Sequence, residues 1–279
     1  MKCFYEQSEV DAMKFGSGFE AINFEMDGAV AVITLNRPDN ANSLNAQMSE
    51  ELLKAATHCD SDPSIRAVVF TGAGKMFSAG GDLPAFHAEG EGMSEYMRYA
   101  TAGLHAAVSR FARMNAPFLV AVNGVAAGAG FSMAISGDLV FASENAVFTE
   151  AYTKAGVSPD GSSTWFLPRL VGKVKAMQLI LLNDVLTASQ ALEWGLVNEV
   201  LPADDLMPRV MEVAQQLASG PTLAYGEAKR LVADSLSNGL ETQMEMETRA
   251  IAGLARASKD TKEGVSAFVE KRKPDFKGW

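Results

Sequence analysis

Two short glycine-rich stretches are the residues of this chain whose types and spacing best suit catalysis. Phe77–Leu83 reads FSAGGDL, and 124–130 reads GVAAGAG. Each follows an apolar run typical of a buried strand, at Ala67–Thr71 and Phe118–Val122 respectively. A strand that passes through a glycine-rich turn into a helix leaves backbone N–H groups without intrahelical partners. Two such groups aimed at one point would form an oxyanion hole, which stabilises negative charge on a carbonyl oxygen.

Two carboxylates, Asp160 and Glu150, are candidates for moving protons beside such a hole. Asp160 lies in the sequence Pro159-Asp160-Gly161, which is typical of a tight turn, so residue types alone favour a structural role for it. Glu150 is equally consistent with a solvated loop residue and with an acid–base group. Asp82 and Asp138 are interpreted as structural residues that cap turns or helices.

The elements that must position these residues alternate between strand-like and helix-like patterns in the first part of the chain. Strands are expected at 22–26, 30–35, 67–71, 118–122, 138–142, 146–148 and 197–200. Helices are expected from about 45 to 59 and at 96–114, 131–136, 162–170, 173–182 and 189–194, with Ser162 or Ser163 as a cap. Segment 84–94 contains Gly90 and Gly92 and is expected to be a flexible rim of the site.

From Pro202 onward only helical patterns are found, at 203–219, 221–237, 239–257 and 259–271. The sequence therefore predicts two parts, an α/β body over 1–200 that carries the site and an all-helical region over 201–279. Strands that recur before turns and helices are also what a repeated ββα unit would produce.

The bulk composition excludes several classes of protein. The chain has 279 residues and a net charge of −10, which argues against nucleic-acid binding because phosphate repulsion would not be offset. Two cysteines, Cys3 and Cys59, are too few for a disulfide framework. Neither an export signal nor an apolar run of membrane-spanning length is recognisable. We therefore expect a cytoplasmic protein that binds neither nucleic acid nor membrane.

Several long motifs resemble the crotonase superfamily, also called the enoyl-CoA hydratase/isomerase family. They include FSAGGDL, AVNGVAAGAG and the run from Ala146 to Gly172, AVFTEAYTKAGVSPDGSSTWFLPRLVG. The loop Asn36-Arg37-Pro38 with Asn42-Ser43-Leu44, the stretch ALEWGLVNEV and the terminal FVEKRKPDFKG belong to the same pattern. The resemblance covers nearly the whole chain.

The resemblance implies a crotonase (ClpP-like) spiral of ββα units with a C-terminal helical trimerisation region, and a homotrimer or a hexamer formed from two trimers. It implies an acyl-CoA thioester as substrate, with coenzyme A as part of the substrate and neither a cofactor nor a metal. The oxyanion hole would consist of the Gly81 and Ala129 N–H groups. Substrate-contacting residues are expected at Asn40, Ala41, Ser43, Ser78, Ala79, Gly80, Tyr152 and His105.

Within this family the residues favour double-bond isomerisation over hydration. A hydratase uses two carboxylates around one water, and the positions that would carry them hold Ser132 and Tyr152. Asp160 matches the aspartate of ring-epoxide isomerases, which share the PD-x-x-x-T-W-F-L-P-R-L run, and one carboxylate suffices for moving a double bond. Hydration, with Glu150 as a substitute, is the second hypothesis.

Two further alternatives stay open. Aryl-CoA dehalogenases of the superfamily have an attacking aspartate at the position of Asp160, an aromatic residue matching Tyr152 and a histidine matching His105. A non-catalytic acyl-CoA binder is the other alternative. It is disfavoured because both glycine-rich turns of the oxyanion hole are retained.

Overall fold

The computed structural model describes residues 15–16 and 18–279, in which short strands alternate with helices. The strands are β1 (Ile22–Asp27), β2 (Val30–Leu35), β3 (Ala67–Gly72), β4 (Met76–Ser78), β5 (Phe118–Val122), β6 (Val125–Ala127), β7 (Leu139–Ser143), β8 (Val147–Thr149), β9 (Leu186–Thr187) and β10 (Glu199–Leu201). The helices are α1 (Ala46–Ser61), α2 (Leu83–Ala88), α3 (Met93–Arg113), α4 (Ala129–Ala134), α5 (Ser163–Leu182), α6 (Ala188–Glu193), α7 (Ala203–Ala218), α8 (Thr222–Ser235), α9 (Leu240–Ala257) and α10 (Lys259–Glu270).

The strands form two sheets. The larger sheet has the order β1-β2-β3-β5-β7-β10, in which β1 and β2 form an antiparallel hairpin and the strands from β2 to β10 are parallel. The smaller sheet has the order β4-β6-β8-β9, with β9 antiparallel to β8. Every residue of β3 and β5 is buried, as the continuous apolar runs of these strands predict for the centre of a parallel sheet.

Three ββα units account for the alternation of the two sheets. β3, β5 and β7 lie in the larger sheet, and each is followed directly by a strand of the smaller sheet, β4, β6 or β8. A helix then follows the second strand in each case. The ββα repeat expected from the sequence is confirmed, and it places the ends of β4, β6 and β8 side by side.

Helices cover both faces of the larger sheet. On one face α1 and α3 enclose a core that contains stacked Phe111 and Phe118, whose ring centroids are 4.5 Å apart. On the other face α7 packs through Leu206 and Val210 against Val69 and neighbouring strand residues. α7 lies beyond residue 200 and yet belongs to this core, whereas α9 has no buried residue. The division of the chain at residue 200 stays a prediction.

The segment expected to be a flexible rim is mostly helical, which corrects that expectation. Leu83–Ala88 forms α2, a 3-10 turn follows at Gly90–Gly92, and α3 begins at Met93. Asp82 caps α2 by accepting a hydrogen bond from the Ala85 N–H at 3.1 Å, and Pro84 is pre-set for the first helical turn. Gly90 and Gly92 are the reason for expecting a flexible segment, but the Asp82 cap starts a helix there.

The other expected strands and helices are present with small differences in their bounds, but the short strands β4, β6 and β9 were not predicted. α5 is interrupted at Gly172, where φ is 76°, so the two helices expected at 162–170 and 173–182 are both present. Ser162 occupies the N-cap position of α5, but its side chain makes no capping hydrogen bond. Burial raises the pKa of the Cys59 thiol to about 12, and Cys3 lies outside the described residues. Within the described ranges no helix is long and apolar enough to span a bilayer.

Candidate active site

The first glycine-rich turn connects β4 to α2 and is held by hydrogen bonds of the Ser78 hydroxyl. The Ser78 hydroxyl donates a hydrogen bond to the Asn42 carbonyl at 2.8 Å and accepts one from the Gly80 N–H at 3.1 Å. Gly80 has a φ of +94°, a conformation that an L side chain rarely adopts. This local geometry turns the chain sharply, so that Gly81 follows at the wall of a cavity.

The second turn connects β6 to α4 and touches the first. Gly128 has φ 52° and ψ −125°, and α4 begins at the next residue, Ala129. A Cβ on Gly80 would lie 2.7 Å from the Ala127 carbonyl oxygen and 3.2 Å from the Ala129 nitrogen. A Cβ on Gly130 would lie 2.4 Å from the Ser78 carbonyl oxygen. Glycine is therefore required at both positions for the two turns to approach this closely.

The N–H groups of Gly81 and Ala129 are available to a ligand. Neither donates a hydrogen bond to another of the described residues, and both residues line the same cavity of about 430 Å³. Ala129 supplies the first N–H of α4, which has no intrahelical acceptor. Two N–H donors on touching turns that open into one cavity can bind a carbonyl oxygen and the negative charge that develops on it.

The cavity is mostly apolar and has a single carboxylate. Leu44, Phe86, Leu104 and Val157 contribute to its walls, and Asp160 is the only carboxylate among the described residues that line it. The side chain of Asp160 is 26% exposed. An apolar pocket that has one acid–base group and two N–H donors suits an acyl group whose carbonyl and adjacent carbon are the reacting atoms.

Asp160 is held by two hydroxyl groups. The Tyr152 hydroxyl donates to Asp160 Oδ1 at 2.7 Å, and the Ser132 hydroxyl donates to the Asp160 backbone carbonyl at 2.9 Å. The two hydroxyl oxygens are themselves 2.7 Å apart. Burial, and then the charge of Asp160, raise the pKa of Tyr152 well above its usual value, so Tyr152 remains a neutral donor. At the two positions where the resemblance implies hydratase carboxylates, this chain has Ser132 and Tyr152, and both contact Asp160.

His105 contacts the same loop from α3. Its Nε2 accepts a hydrogen bond from the Gly161 N–H at 3.1 Å and lies 3.8 Å from Asp160 Oδ2. An Nε2 that accepts an N–H must carry a lone pair, so the imidazole is neutral with its proton on Nδ1. Its approach to Asp160 is therefore not an ion pair. His105 does not line the acyl cavity but lines a second one, of about 440 Å³.

Glu150 is buried outside the acyl cavity. Its side chain is inaccessible to solvent, and Ser163 Oγ donates to its Oε2 at 3.4 Å. Its Oε1 has no hydrogen-bond partner among the described residues. Burial raises the pKa of Glu150 to about 7. Of the two roles left open by the sequence, the solvated loop residue is excluded, and the carboxyl group does not reach the cavity in which an acyl group would bind.

The loop expected to bind coenzyme A lies against the first turn. Ala41 has φ 54°, and its carbonyl accepts the Ala79 N–H at 2.9 Å. Asn40 is exposed and Ser43 is buried. Arg37 Nη1 joins this loop to the turn by donating to the Ser43 carbonyl at 2.6 Å and to Asp82 Oδ2 at 2.8 Å. Substrate contacts of Asn40, Ala41, Ser43, Ser78, Ala79 and Gly80 stay predictions.

Sequence reasoning missed Asn42, the residue that holds this loop in place. Its side chain is fully buried, accepts the Arg37 N–H at 2.9 Å and donates to the Ala73 and Met76 carbonyls at 2.9 and 2.8 Å. It also has a φ of 50°. Asparagine tolerates this left-handed conformation better than most residues, which is the signal that the sequence offered.

Asp82 and Asp138, interpreted as structural, both have structural contacts. Asp82 pairs with Arg37 at 2.8 Å and caps α2. Asp138 accepts the Phe118 N–H at 2.7 Å and pairs with Lys229 Nζ at 2.7 Å. No cluster of three or more His, Cys, Asp or Glu side chains suited to a metal ion occurs in residues 15–16 and 18–279.

The chain matches a described protein family and several known proteins. The family model described as "Enoyl-CoA hydratase/isomerase" matches residues 25–279. The chain is 40% identical over 265 residues to "1,2-epoxyphenylacetyl-CoA isomerase" of Escherichia coli (strain K12), covering 93% of this chain and 99% of that protein. It is 37% identical over 231 residues to "4-chlorobenzoyl coenzyme A dehalogenase-2" of Arthrobacter sp, covering 82% of this chain and 84% of that protein.

Solved structures show the same architecture. A crystal structure of an enoyl-CoA hydratase from Polaromonas sp. JS666 superimposes with a TM-score of 0.87 at 32% identity, covering 92% of this chain and all of that one. These similar proteins are named for three different reactions on coenzyme A thioesters. The ββα spiral with C-terminal helices is thus the crotonase fold. The chain belongs to the enoyl-CoA hydratase/isomerase family of the crotonase superfamily.

Proposed function

We propose that this acyl-CoA enzyme moves the carbon–carbon double bond of an unsaturated acyl-CoA from the β,γ to the α,β position. The observation that carries the proposal is the pairing of one carboxylate, Asp160, with the N–H groups of Gly81 and Ala129 in an apolar cavity. Isomerisation needs one base, one site for negative charge and one acid. A single carboxylate can be both base and acid.

The reaction follows from the positions of these groups. The thioester carbonyl accepts the Gly81 and Ala129 N–H groups, which makes the α-hydrogen more acidic. Asp160 takes the α-proton, and the electron pair of the broken C–H bond enters a dienolate whose oxygen carries the negative charge. Asp160 then returns a proton to the γ-carbon, and the carbonyl and the α,β double bond form. Neither a cofactor nor a metal is needed for these steps.

The environment of Asp160 suits this use of one carboxylate. Tyr152 donates to Oδ1 and Ser132 fixes the backbone carbonyl, so Oδ2 is the oxygen without a tyrosine donor. A group whose side chain and backbone are both held can transfer a proton between two carbons without a large rearrangement. The apolar walls offer few hydrogen-bond partners to a water molecule that would compete for the intermediate.

Hydration is the second candidate and has less support. It requires a second carboxylate beside a water molecule. Ser132 and Tyr152 are hydroxyl groups bonded to each other, and Glu150 is buried away from the cavity. The same experiment also tests two further hypotheses. One is dehalogenation by attack of Asp160 on an aromatic ring, and the other is a purely binding role.

The test is product analysis by NMR in deuterated water with 3-enoyl-CoA and 2-enoyl-CoA thioesters, together with chloride detection for 4-chlorobenzoyl-CoA. We expect conversion of 3-enoyl-CoA to 2-enoyl-CoA, with kcat reduced about 10²- to 10⁴-fold in Asp160→Asn and with thioester binding retained. Asp204→Asn is the matched control, because Asp204 is exposed in the first turn of α7.

Other products would contradict the isomerase proposal. Formation of 3-hydroxyacyl-CoA from 2-enoyl-CoA without bond migration would show a hydratase. Chloride release from 4-chlorobenzoyl-CoA would show a dehalogenase. Tight thioester binding without any reaction would show a non-catalytic acyl-CoA binder.

We also propose that the protein assembles as a homotrimer or as a hexamer of two trimers. The last two helices leave large apolar side chains uncovered, among them Leu240, Ile251, Phe268 and Val269, each more than two-thirds exposed. Such a surface is characteristic of a contact with another chain. Sedimentation equilibrium should give a trimer or hexamer for the native chain and a smaller species for Ile251→Lys with Phe268→Lys. A monomeric native chain would contradict this proposal.

A further inference from the structure

Asp160 lies between two cavities. The acyl cavity of about 430 Å³ and the second cavity of about 440 Å³ share only this residue among the described residues that line them. The second cavity lies between α3 and the start of α5, where His105, Ser109 and Trp165 contribute to its wall. His105 and Trp165 have side chains that are 50% and about two-fifths exposed, so water reaches this side of Asp160.

His105 is placed to connect Asp160 with that water. Its Nε2 is 3.8 Å from Asp160 Oδ2, the oxygen that does not accept the Tyr152 hydroxyl. Because Nε2 accepts the Gly161 N–H, it carries a lone pair, and the ring proton is on Nδ1. Gly161 occupies that lone pair, so the imidazole takes a proton at Nε2 only once this hydrogen bond breaks, and it then loses the proton on Nδ1. A shift of about 1 Å would bring Nε2 into hydrogen-bond range of Oδ2.

We propose that His105 exchanges the proton held by Asp160 with water in the second cavity. This proposal rests on the proposed function, since Asp160 holds that proton after taking it from the α-carbon. The Oδ2–H bond breaks as an Nε2–H bond forms, and Asp160 regains its negative charge. The imidazolium then releases its Nδ1 proton to water. The reverse sequence brings a solvent proton to Asp160.

The relay competes with direct return of the same proton to the γ-carbon. Asp160 itself lines the second cavity, so without His105 a smaller fraction of its protons is replaced from solvent, and the rest move from the α- to the γ-carbon within one molecule. With His105 the exchanged fraction is larger. The fraction of deuterium that enters the product in deuterated water therefore measures the relay independently of the overall rate.

The test compares native protein, His105→Gln and Ser109→Ala, each with 3-enoyl-CoA in deuterated water. Glutamine can accept the Gly161 N–H through its side-chain oxygen but cannot relay a proton. In His105→Gln the proton that Asp160 takes can still return directly to the γ-carbon, so any loss in kcat should be smaller than the loss in deuterium incorporation. Deuterium incorporation per turnover should fall at least fivefold. Ser109→Ala lines the same cavity without a titratable group and should match the native protein.

Two outcomes would overturn the relay. They are native protein that retains all substrate hydrogen, and His105→Gln with native deuterium incorporation per turnover. The second result together with a lower kcat would show a structural role. Should His105→Gln not fold, as judged by circular dichroism, His105→Asn takes its place in the same comparison.

A second readout separates the relay from the proposed function. Exchange of the α-hydrogens of a saturated acyl-CoA requires only Asp160, the two N–H donors and the relay. Absence of bond migration with α-exchange that depends on His105 would overturn the isomerase proposal and support the relay. Bond migration with α-exchange that is unaffected in His105→Gln would overturn the relay alone.

Discussion

The Tyr152 hydroxyl donates a 2.7 Å hydrogen bond to Oδ1 of Asp160, the only carboxylate that the described residues place in the acyl cavity. The same hydroxyl lies 2.7 Å from Ser132 Oγ, which holds the Asp160 backbone. The carboxylate is thus oriented by side chains from two other segments of the chain. A hydrogen bond to an ionised group is shorter and stronger than one between neutral groups.

We expect Tyr152→Phe to lower kcat with little change in KM. The lost hydrogen bond to a charged group is worth about 1.5–3 kcal/mol, which corresponds to roughly a 10- to 100-fold slower reaction if all of it orients Asp160. Steady-state kinetics on a 3-enoyl-CoA measures the effect. Tyr99→Phe is the matched control, because Tyr99 is exposed and its hydroxyl bonds to Glu50. Native kcat in Tyr152→Phe would contradict the orienting role.

We expect Gly80→Ala to separate the two turns of the oxyanion hole. The new methyl group would lie 2.7 Å from the Ala127 carbonyl oxygen, at a φ of +94°. Gly195→Ala is the control for backbone strain alone, because Gly195 has a φ of +79° with no atom within 4 Å of an added Cβ.

Removing one oxyanion donor typically costs about 10²–10³ in kcat, and we expect a loss of that size for Gly80→Ala. Gly195→Ala should lose stability, by about 1 kcal/mol or more, but not activity. Equal kcat in the two folded variants would show that close contact of the turns is not needed.

Glu150 should make the protein less stable as pH rises. Its pKa is raised from 4.5 to about 7 by burial, so between these values the folded state binds more protons than the unfolded state. The free energy of unfolding therefore falls from about pH 4.5 to about pH 7 and loses on the order of 3 kcal/mol from this group. Below pH 4.5 the group is protonated in both states and has no such effect.

The measurement is urea denaturation of native protein and Glu150→Gln at pH 5 and pH 8. We expect the stability of Glu150→Gln relative to native protein to increase by about 2–3 kcal/mol between the two pH values. The exposed Glu247 provides the control, Glu247→Gln. A pH-independent difference between Glu150→Gln and native protein would show that Glu150 is ionised throughout.

The ion pair of Lys229 and Asp138 connects α8 to the core beneath the site. Lys229 Nζ donates to Asp138 Oδ2 at 2.7 Å and to the carbonyls of Phe111 and Ala116 at 2.9 and 3.1 Å. Burial lowers the pKa of Lys229 and raises that of Asp138, with the partner's charge opposing the shift in each case. Removing one partner leaves the other charge desolvated and unpaired.

We expect Lys229→Met to destabilise the protein by about 1–3 kcal/mol, less than for a fully buried pair, because the Asp138 side chain is 29% exposed. The double variant Lys229→Met with Asp138→Asn should recover part of this loss, because no unpaired charge remains. Denaturant unfolding of both single variants and the double variant gives the coupling energy. Additive losses would contradict a direct interaction.

The sequence by itself determined the local elements of the site. The apolar strands before FSAGGDL and GVAAGAG, and the glycines within them, follow from short-range patterns of burial and backbone conformation. The turns at Gly81 and Ala129 and the helix that begins at Ala129 were therefore predictable, as were most of the longer helices and strands, whereas β4, β6, β9 and α2 were not predicted. Segment 84–94 was predicted incorrectly as a flexible rim. Its glycines are typical of a flexible loop, but the Asp82 cap starts a helix at Leu83.

The tertiary structure alone decided how distant side chains combine. Ser132 and Tyr152 are 28 and 8 residues from Asp160 in the sequence. The Ser132 hydroxyl meets the Asp160 backbone carbonyl and the Tyr152 hydroxyl meets its carboxylate because β6 and β8, which precede Ser132 and Tyr152, are paired. The burial of Glu150 and the second cavity behind Asp160 likewise depend on packing between elements. A sequence pattern specifies which face of an element is buried, whereas a distance between two side chains is set by every element that packs around them.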